Sequence, residues 1–362
     1  MRNIIFNYFA AVILIAFILL SVPGNLLANI DKAQNRSDHK DGAEYEDKNK
    51  GQNISPGQDN DNMDTNQEKT FKLYMKSENE IELYSDIDEN YCLITRFNKK
   101  DWGTWNICGW SKGKKINGKI AIPAKNSIVM AGTGTDWEYV LRVSGIGKSL
   151  FYFSGGNHAN EELIDISFLI YPEGKNIELT PGQIIDITEL KVIENTSLNI
   201  DEQGIKNYAN VRREYSFRPY SIELSATFVF NTDVLIGASY VSMMPIKKEY
   251  GRYFMFDNID SVYSTVPQGY TKSEPGKAYY LGKVEAVSTV FWGDANPDYK
   301  FRAWIESPEM VDYFKNELKT FVWDFNIYDN KLYYSKYDIQ NPTKIEAGTI
   351  WKHIQGWEFI KE

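Results

Sequence analysis

The chain has 362 residues, a formal net charge of -9 and 43% hydrophobic residues. This apolar content is enough to form a folded core and excludes a wholly disordered chain. The acidic balance argues against a nucleic-acid partner, because nucleic-acid-binding proteins need a basic surface that displaces counterions from phosphates. With three His and two Cys, the chain has too few ligands for a zinc finger or an iron–sulfur protein. Aromatic residues make up 14% of the chain and favour β structure.

Residues 1–28 are typical of a signal peptide that is cleaved on export. Arg2 is the only charged residue before the apolar run Phe9–Leu20, and the small residue Ala28 offers a cleavage site after it. A transmembrane helix needs about 20 apolar residues, so an uncleaved N-terminal anchor is the alternative and the only reason to expect a membrane partner. Under either interpretation we expect the rest of the chain to be extracellular, either secreted or tethered to the cell surface.

Residues 29–69 are predicted to form a disordered polar linker. Acidic residues outnumber basic residues by ten to six over this segment, and only six of its side chains are apolar. Such a composition cannot bury enough apolar surface to offset the entropy lost when the chain is ordered. Residues 70–362, which follow, contain no Pro- or Gly-rich break, and we expect them to form one domain.

Short runs of β-forming residues, separated by turn signals, recur throughout this predicted domain. Leu163–Tyr171 and Val234–Val241 are two such runs. Their spacing is typical of a sandwich or barrel, and we predict an all-β fold, a β-sandwich of jelly-roll type. One short helix is predicted over residues 308–319, because Ser307 can cap a helix that has Pro308 in its first position.

Cys92 and Cys108 lie on either side of the turn-like segment Lys99–Gly103, so we expect them to face each other across a hairpin. Disulfides persist in extracellular proteins. Closing a loop of this length would stabilise the fold by about 3 kcal/mol. We therefore predict a structural disulfide between the two cysteines.

The segment Phe151–Glu162 contains the strongest candidate for a functional site. An aromatic strand runs into Gly155 and Gly156, and glycines permit a positive φ or the close approach of a ligand. Asn157 and His158 follow, and histidine is the side chain whose ordinary pKa lies nearest to neutrality. The other two histidines lie in the predicted linker and in an aromatic C-terminal segment. His158 is therefore the preferred proton carrier.

The spacing Gly155-Gly-Asn-His-Ala-Asn-Glu161 resembles the zinc motif of metallocarboxypeptidases and of aspartoacylase-like deacylases. This resemblance implies a zinc-dependent hydrolase in which His158 and Glu161 are zinc ligands. Those families need a helix after the motif and a second histidine ligand, whereas Leu163–Tyr171 is predicted to be a strand. On a strand, residues at this spacing point to opposite faces.

In predicted architecture and residue types, the domain is similar to β-jelly-roll polysaccharide lyases, which act on uronic-acid polymers. Their β-elimination needs a group that neutralises the substrate carboxylate, a base, and an acid for the leaving oxygen. The resemblance implies Asn157 as the neutralising group and His158 as the base. We expect no cofactor. Tyr240 and Arg213 are the further catalytic candidates. The residues expected to contact the polysaccharide are Gly155, Gly156, Glu161, Arg212 and Trp137.

Two other interpretations stay open on the sequence alone. The domain could be a non-catalytic module that binds a glycan or a cell wall, or an adhesion protein, and its partner would again be a polysaccharide or cell-surface glycan. Asp294–Asp298 has the alternating oxygen ligands of a calcium loop, so a structural calcium ion is an alternative to a plain turn. A calcium loop that began at Asp294 would need a glycine at its sixth position, where this chain has Tyr299. It would also need a carboxylate at its twelfth position, where this chain has Ile305.

Overall fold

Antiparallel strands make up most of the chain in the computed structural model, which describes residues 69–132, 135–270, 279–306, 308–337 and 341–362. The predicted signal peptide, and the predicted linker up to residue 68, lie outside the described residues. The chain divides into two units between residues 65 and 66, and every described residue belongs to the second unit. The strands of the described residues form two sheets, of 13 and 10 strands.

The first sheet is built around the long strand β14 (Val234–Lys247). Along its hydrogen-bonded path the strands occur in the order β10 (Ile184–Ile187), β1 (Phe71–Ser77), β2 (Glu80–Asp86), β3 (Tyr91–Lys99), β4 (Trp105–Lys114), β5 (Ile128–Ala131), β14, β21 (Asp329–Ser335), β20 (Thr320–Asp324) and β17 (Tyr279–Val284). Two further strands pair with β14, namely β6 (Val140–Gly145) and β22 (Thr343–Ile345), while β7 (Tyr152–Ser154) pairs with β6.

The second sheet contains the longer hairpins of the chain, and consecutive strands are often neighbours in it. Its strands occur in the order β16 (Tyr263–Ser264), β15 (Tyr253–Phe256), β18 (Ser288–Gly293), β19 (Asn296–Ile305), β23 (Ile350–Lys361), β13 (Ser221–Phe230), β12 (Ile205–Arg218), β11 (Glu189–Ile200), β8 (Glu161–Tyr171) and β9 (Lys175–Asn176). Each strand pair in the described residues is antiparallel, so one face of each sheet can be buried while the other faces water.

The two sheets pack face to face through a core that is rich in aromatic side chains. Phe97 of the first sheet contacts Phe217 of the second, with ring centroids 5.0 Å apart. Trp137 packs edge-on against Trp110 at 5.4 Å and against Trp357 at 5.8 Å. Such aromatic pairs add about 0.5–1.5 kcal/mol each beyond the area that they bury. The predicted all-β sandwich is confirmed, with sheets larger than those of a simple eight-strand jelly roll.

Two short helices accompany the sheets in the described part of the chain, α1 (Lys248–Gly251) and α2 (Pro308–Lys315). The second is the predicted helix, although it ends at Lys315 instead of residue 319. Phe314 anchors it, because this buried ring packs edge-on against Tyr334 at 5.7 Å. None of the described helices has both the length and the apolar character that crossing a bilayer requires.

The predicted disulfide is wrong, because Cys92 and Cys108 are both free. β3 and β4 do form a hairpin, but Cys92 pairs with Gly113, whereas Cys108 lies at the bulge opposite Arg96 and Phe97. Four or five residues of β3 thus separate the two positions, or about 13–17 Å along the strand. A disulfide needs Cα atoms within about 7 Å. The hairpin turns around residue 102, and only a turn around residue 100 would place the cysteines opposite each other.

Candidate functional site

The loop after β7 connects the first sheet to β8 of the second sheet and contains both predicted glycines. Gly155 and Gly156 have φ values of 90° and 57°. A Cβ atom at Gly156 would overlap Oδ1 of Asp136, and one at Gly155 would lie too close to the Tyr139 ring. Both glycines are buried. They therefore let the loop pack closely on Asp136 and are not exposed for the predicted contact with a substrate.

Asp136 is a buried anion that contacts this loop at Asn157 and at His158. The backbone N–H of Asn157 donates to Oδ1. His158 Nε2 lies 3.5 Å from Oδ2, and Nζ of Lys331, on β21, lies 3.6 Å from the same oxygen. Burial alone would raise the pKa of Asp136, but the His158 imidazole, the Lys331 ammonium and the Asn157 N–H together lower it to about 2. The carboxylate is therefore ionised at neutral pH and orients the His158 ring.

His158 is accessible from solvent, with 40% of its side chain exposed. Its imidazole stacks on Phe153 of β7, with centroids 4.5 Å and planes 27° apart. Arg142 of β6 is the cross-strand partner of Phe153, and its guanidinium carbon lies 5.6 Å from the centroid of the same ring. Arg142, Phe153 and His158 thus form one contiguous surface, which we call the Phe153 patch.

Arg142 is a half-buried cation in the Phe153 patch. Its Nε atom is buried and has no hydrogen-bond partner among the described residues, and no carboxylate of those residues forms an ion pair with it. Burial lowers the pKa of Arg142, although Tyr240 has the opposite effect. A guanidinium in this state would gain from an anionic ligand, because a carboxylate accepts two parallel hydrogen bonds from it.

Tyr240 lies on the same face of the first sheet as the Phe153 patch. It pairs with Val140 of β6, and Val140 and Arg142 are two residues apart on one strand, so they share a face. Leu141, between them, belongs to the main core, which makes this the outer face of the sheet. Tyr240 packs here against Tyr333 of β21, with ring centroids 4.8 Å apart. The structure thus brings two predicted site residues, His158 and Tyr240, to one side of the sandwich.

Arg213 and Glu161, two other predicted site residues, lie in the interior with no exposed side-chain surface. Arg213 Nη2 is 2.5 Å from Glu194 Oε2, and its Nη1 is 3.9 Å from Glu161 Oε1. Glu161 also accepts hydrogen bonds from the Tyr139 hydroxyl at 2.5 Å and the Thr196 hydroxyl at 2.7 Å. Neither side chain can contact a polysaccharide at the surface. Both have a structural role in place of the predicted one.

A third glutamate, Glu138, lies in the same interior region. It accepts hydrogen bonds from the backbone N–H of Ile107 at 2.6 Å and from the Tyr215 hydroxyl at 3.3 Å. Glu138, Glu161, Glu194 and Arg213 form what we call the buried glutamate cluster, in which three carboxylates face one guanidinium. Burial raises the pKa of Glu138 and raises that of Glu194 to about 7, although Arg213 acts in the opposite direction on both.

The buried glutamate cluster predicts a pH dependence of stability. The pKa of Glu194 is about 7 in the folded state and 4.5 ordinarily, so the protonated carboxyl is favoured by folding. This contribution is complete below the unfolded-state pKa and is lost as pH rises through the folded-state pKa. Buried His353 has the opposite effect, because its pKa is about 3 in the folded state and 6.5 ordinarily. The test is therefore the difference between wild type and Glu194→Gln in the free energy of unfolding, from urea titrations. We expect the wild type to lose stability relative to the variant between about pH 5 and pH 7, and a difference that does not change with pH would contradict the assignment to Glu194.

Trp137 and Arg212, both predicted to contact the polysaccharide, also lie away from the Phe153 patch. Trp137 is fully buried in the aromatic core, so it cannot contact a glycan. Arg212 is exposed on the outer face of the second sheet, where its Nε donates to Glu214 Oε1 at 2.7 Å. Arg212 and Arg213 are adjacent on β12, and strand alternation sends them to opposite faces.

The ligands of the zinc interpretation do not converge. His158 belongs to the Phe153 patch and Glu161 to the buried glutamate cluster, and the segment that follows the motif is strand β8 instead of a helix. His353 is buried, and burial lowers its pKa to about 3.

The calcium interpretation places Asp294 first among the ligands. In the structure the Asp294 carboxylate forms an ion pair with Arg252 at 3.0 Å. Within the described ranges, no three or more His, Cys, Asp or Glu side chains are placed to hold a metal ion.

Three residues of this site were not selected by sequence reasoning: Arg142, Lys331 and Asp136. Arg142 does carry a signal, because it is the one charged residue within the apolar run Tyr139–Val143. Asp136 precedes a predicted strand, where a solvated edge and a ligand contact are both open. Its contact with Lys331 has no signal in the sequence, since it joins parts of the chain that are distant in sequence and meet only when β6 and β21 both pair with β14.

No protein-family model matches the chain, and no curated protein matches it significantly. Among solved structures the chain is similar to the α-galactosidase from Lactobacillus brevis (TM-score 0.42, 9% identity, 80% of this chain and 40% of that chain covered). It is also similar to the galactosidase domain of an α-galactosidase–sucrose kinase (0.41, 7%, 82% and 41%) and to the Slr1438 protein from Synechocystis (0.37, 6%, 80% and 98%). The chain thus spans about two fifths of the length of these two galactosidase structures. Likenesses of this size assign neither an activity nor a substrate to the chain.

Proposed function

We propose that the domain is an exported polysaccharide lyase that binds a uronate-containing glycan at the Phe153 patch. One observation carries the proposal: the Arg142 guanidinium, which forms no ion pair with the described residues, and the carboxylate-oriented His158 imidazole contact the same aromatic ring. The three groups match the three parts of a uronate unit. The part of the Phe153 ring that His158 and Arg142 leave exposed suits contact with the apolar C–H groups of the sugar. The guanidinium suits the carboxylate, and the imidazole suits the acidic C–H bond beside that carboxylate.

His158 is the base in this proposal. Its Nε2 faces Asp136, which leaves Nδ1 as the nitrogen that can accept a proton from the substrate. Asp136 stabilises the imidazolium that forms, because an opposite charge at this distance favours the protonated ring. It also holds the ring in one orientation, as carboxylates do beside other catalytic histidines. Asp136 therefore acts as a positioning residue.

Arg142 takes the neutralising role for which the sequence favours Asn157. Proton abstraction beside a carboxylate places negative charge on the carboxylate oxygens, and a fixed cation stabilises that charge in the transition state. The Asn157 side chain stays a second candidate for this contact. Its backbone N–H is already engaged by Asp136.

The reaction is a β-elimination. The C5–H bond of the uronate breaks and its proton passes to His158, while the electron pair of that bond forms the C4=C5 double bond. The C4–O bond breaks and leaves its electron pair on the departing oxygen. Tyr240, the phenol on the same face as the Phe153 patch, donates a proton to that oxygen.

The role of Arg142 is tested with a uronate polymer and the same polymer after reduction of its carboxyl groups. We expect the domain to cleave only the first, as measured by the ultraviolet absorbance of unsaturated uronate ends. Arg142→Ala should lower kcat/KM by about 10- to 100-fold, because a hydrogen bond to a charged group is worth about 1.5–3 kcal/mol. Arg212→Ala removes the same charge from the other sheet and should leave kcat/KM unchanged.

Two results would overturn this proposal. The first is equal loss of kcat/KM in the Arg142 and Arg212 variants. The second is binding of the uronate polymer without cleavage, which would make the domain a non-catalytic glycan-binding module instead.

A further inference from the structure

Trp304 of β19 lies across the backbone of Gly356 on the outer face of the second sheet. The two residues are cross-strand partners, and a Cβ atom at position 356 would overlap Cζ2, Cε2 and Cη2 of the indole. Glycine is therefore the residue that leaves room for the ring in this position. The indole stays partly exposed, so it presents an apolar, flat surface to solvent.

Glu223 stands on the other side of Gly356 from Trp304. Gly356 pairs with Glu223 on β13 and with Trp304 on β19, so the three residues form one row across the sheet. Glu223 is partly exposed, and no cation among the described residues forms an ion pair with its carboxylate. A carboxylate in this position accepts hydrogen bonds from hydroxyl groups and disfavours an anionic ligand.

A depression of about 520 Å³ adjoins this row. Glu358 and Ser221 line it, and each lies two residues along its strand from Gly356 or Glu223, so all four share one face of the sheet. The depression continues past Arg218 of β12 to two tyrosines, Tyr171 and Tyr220. From β19 to β12 the face crosses three strand spacings, or about 14 Å.

We propose that this face is a second glycan-binding site, which holds a neutral oligosaccharide with one pyranose ring on the Trp304 indole. The chain would continue past the edge of the indole, with hydroxyl groups donating to Glu223, into the depression beside Arg218. The length of the face suits an oligosaccharide better than a single sugar. We call Trp304, Gly356 and Glu223 with this depression the Trp304 track.

The Trp304 track differs from the Phe153 patch in the charge beside its aromatic ring. The patch offers a guanidinium, whereas the track offers a carboxylate beside the indole. Lys69 lies at the far end of the track, with Nζ 5.5 Å from the centroid of the Tyr220 ring. The sugar on the indole should therefore be neutral, whereas the sugar in the patch should be anionic. The track and the patch lie on the outer faces of different sheets. The track does not depend on the proposed lyase activity and could retain a polysaccharide whether or not the patch is catalytic.

The track is tested by affinity electrophoresis of the domain in native gels that contain β-glucan, xylan or galactomannan. We expect at least one of these neutral polysaccharides to retard the wild-type domain. Trp304→Ala and Glu223→Gln should each weaken the association by about tenfold, the effect of losing one stacking contact or one charged hydrogen bond. The matched control is Trp292→Ala, which removes another partly exposed indole on the same face, stacked on Tyr253. It should bind as the wild type does.

Glu223→Gln keeps the proposal testable if removal of Trp304 uncovers Gly356 and destabilises the sheet. The proposal fails if no polysaccharide of the three retards the wild-type domain, or if Glu223→Gln and a folded Trp304 variant bind as the wild type does. It also fails if Trp292→Ala causes the same loss. Cleavage of a short uronate oligosaccharide should be equal in wild type and Glu223→Gln, so loss of the lyase proposal and loss of this one are distinguishable.

Discussion

Replacing His158 by alanine is expected to lower the turnover of a uronate polysaccharide by about 10²–10⁴-fold, the contribution of a well-placed general base. The fold should tolerate this change, because 40% of the side chain is exposed and the loop is held to Asp136 through the backbone N–H of Asn157. Initial rates and the melting temperature of the same preparation measure the two effects. Lys148→Ala, at an exposed position in the turn after β6, is the control and should change neither.

Two outcomes would contradict the assignment of His158. If His158→Ala unfolds, its imidazole is a structural part of the loop on Asp136. If the variant is folded and turns over substrate at the wild-type rate, the base lies elsewhere.

Replacing Arg213 by alanine is expected to lower the free energy of unfolding by about 3–5 kcal/mol, because it leaves the buried carboxylates of Glu161 and Glu194 without a compensating cation. Urea unfolding of both proteins at pH 8, above the Glu194 pKa of about 7, measures the difference. Arg212→Ala is the matched control, since it removes the same side chain type from the adjacent, exposed position. Its effect should stay within about 0.5 kcal/mol. Similar effects of the two substitutions would contradict the structural role of Arg213.

The fold class could be predicted because the strands follow simple rules of alternation. Strict alternation of apolar side chains predicts a strand over Ser221–Phe230, and β13 has these bounds. The neighbouring β12 is not predicted, because Arg212, Arg213 and Glu214 resemble a solvated charged segment. In the structure Arg213 is in phase with buried Tyr215. Arg213 is buried because its ion-pair partners lie on other strands. A charged residue at a buried position breaks the alternation of apolar and polar residues by which β12 could have been predicted.

The site could be predicted only in part, for a related reason. The loop with paired glycines and a histidine is recognisable in the sequence, because the chain contains only three histidines. Whether a neighbouring side chain faces the surface is decided by packing between the sheets. Trp137 and Glu161 illustrate this limit, since both adjoin the site in sequence and yet point into the core. Arg142 illustrates the reverse, because a residue within an apolar run faces outwards.

The predicted disulfide was wrong because it assumed a particular centre for the β3–β4 hairpin. A shift of two residues in the centre of the β3–β4 hairpin separates Cys92 from Cys108 by several residues of strand. Turn composition alone does not determine that centre, because Lys99–Gly103 offers more than one turn of similar propensity.

The most direct test of the proposed chemistry is mass spectrometry of the products formed from a uronate polysaccharide in water enriched in heavy oxygen. Elimination breaks the C4–O bond without adding water. The new reducing end is converted to an alditol directly after cleavage, before its hemiacetal oxygen exchanges with water. The account therefore predicts products that end in an unsaturated uronate and contain no heavy oxygen. Incorporation of one heavy oxygen atom for each bond cleaved would mean hydrolysis, and the absence of any cleaved product would mean that the Phe153 patch is not a lyase site.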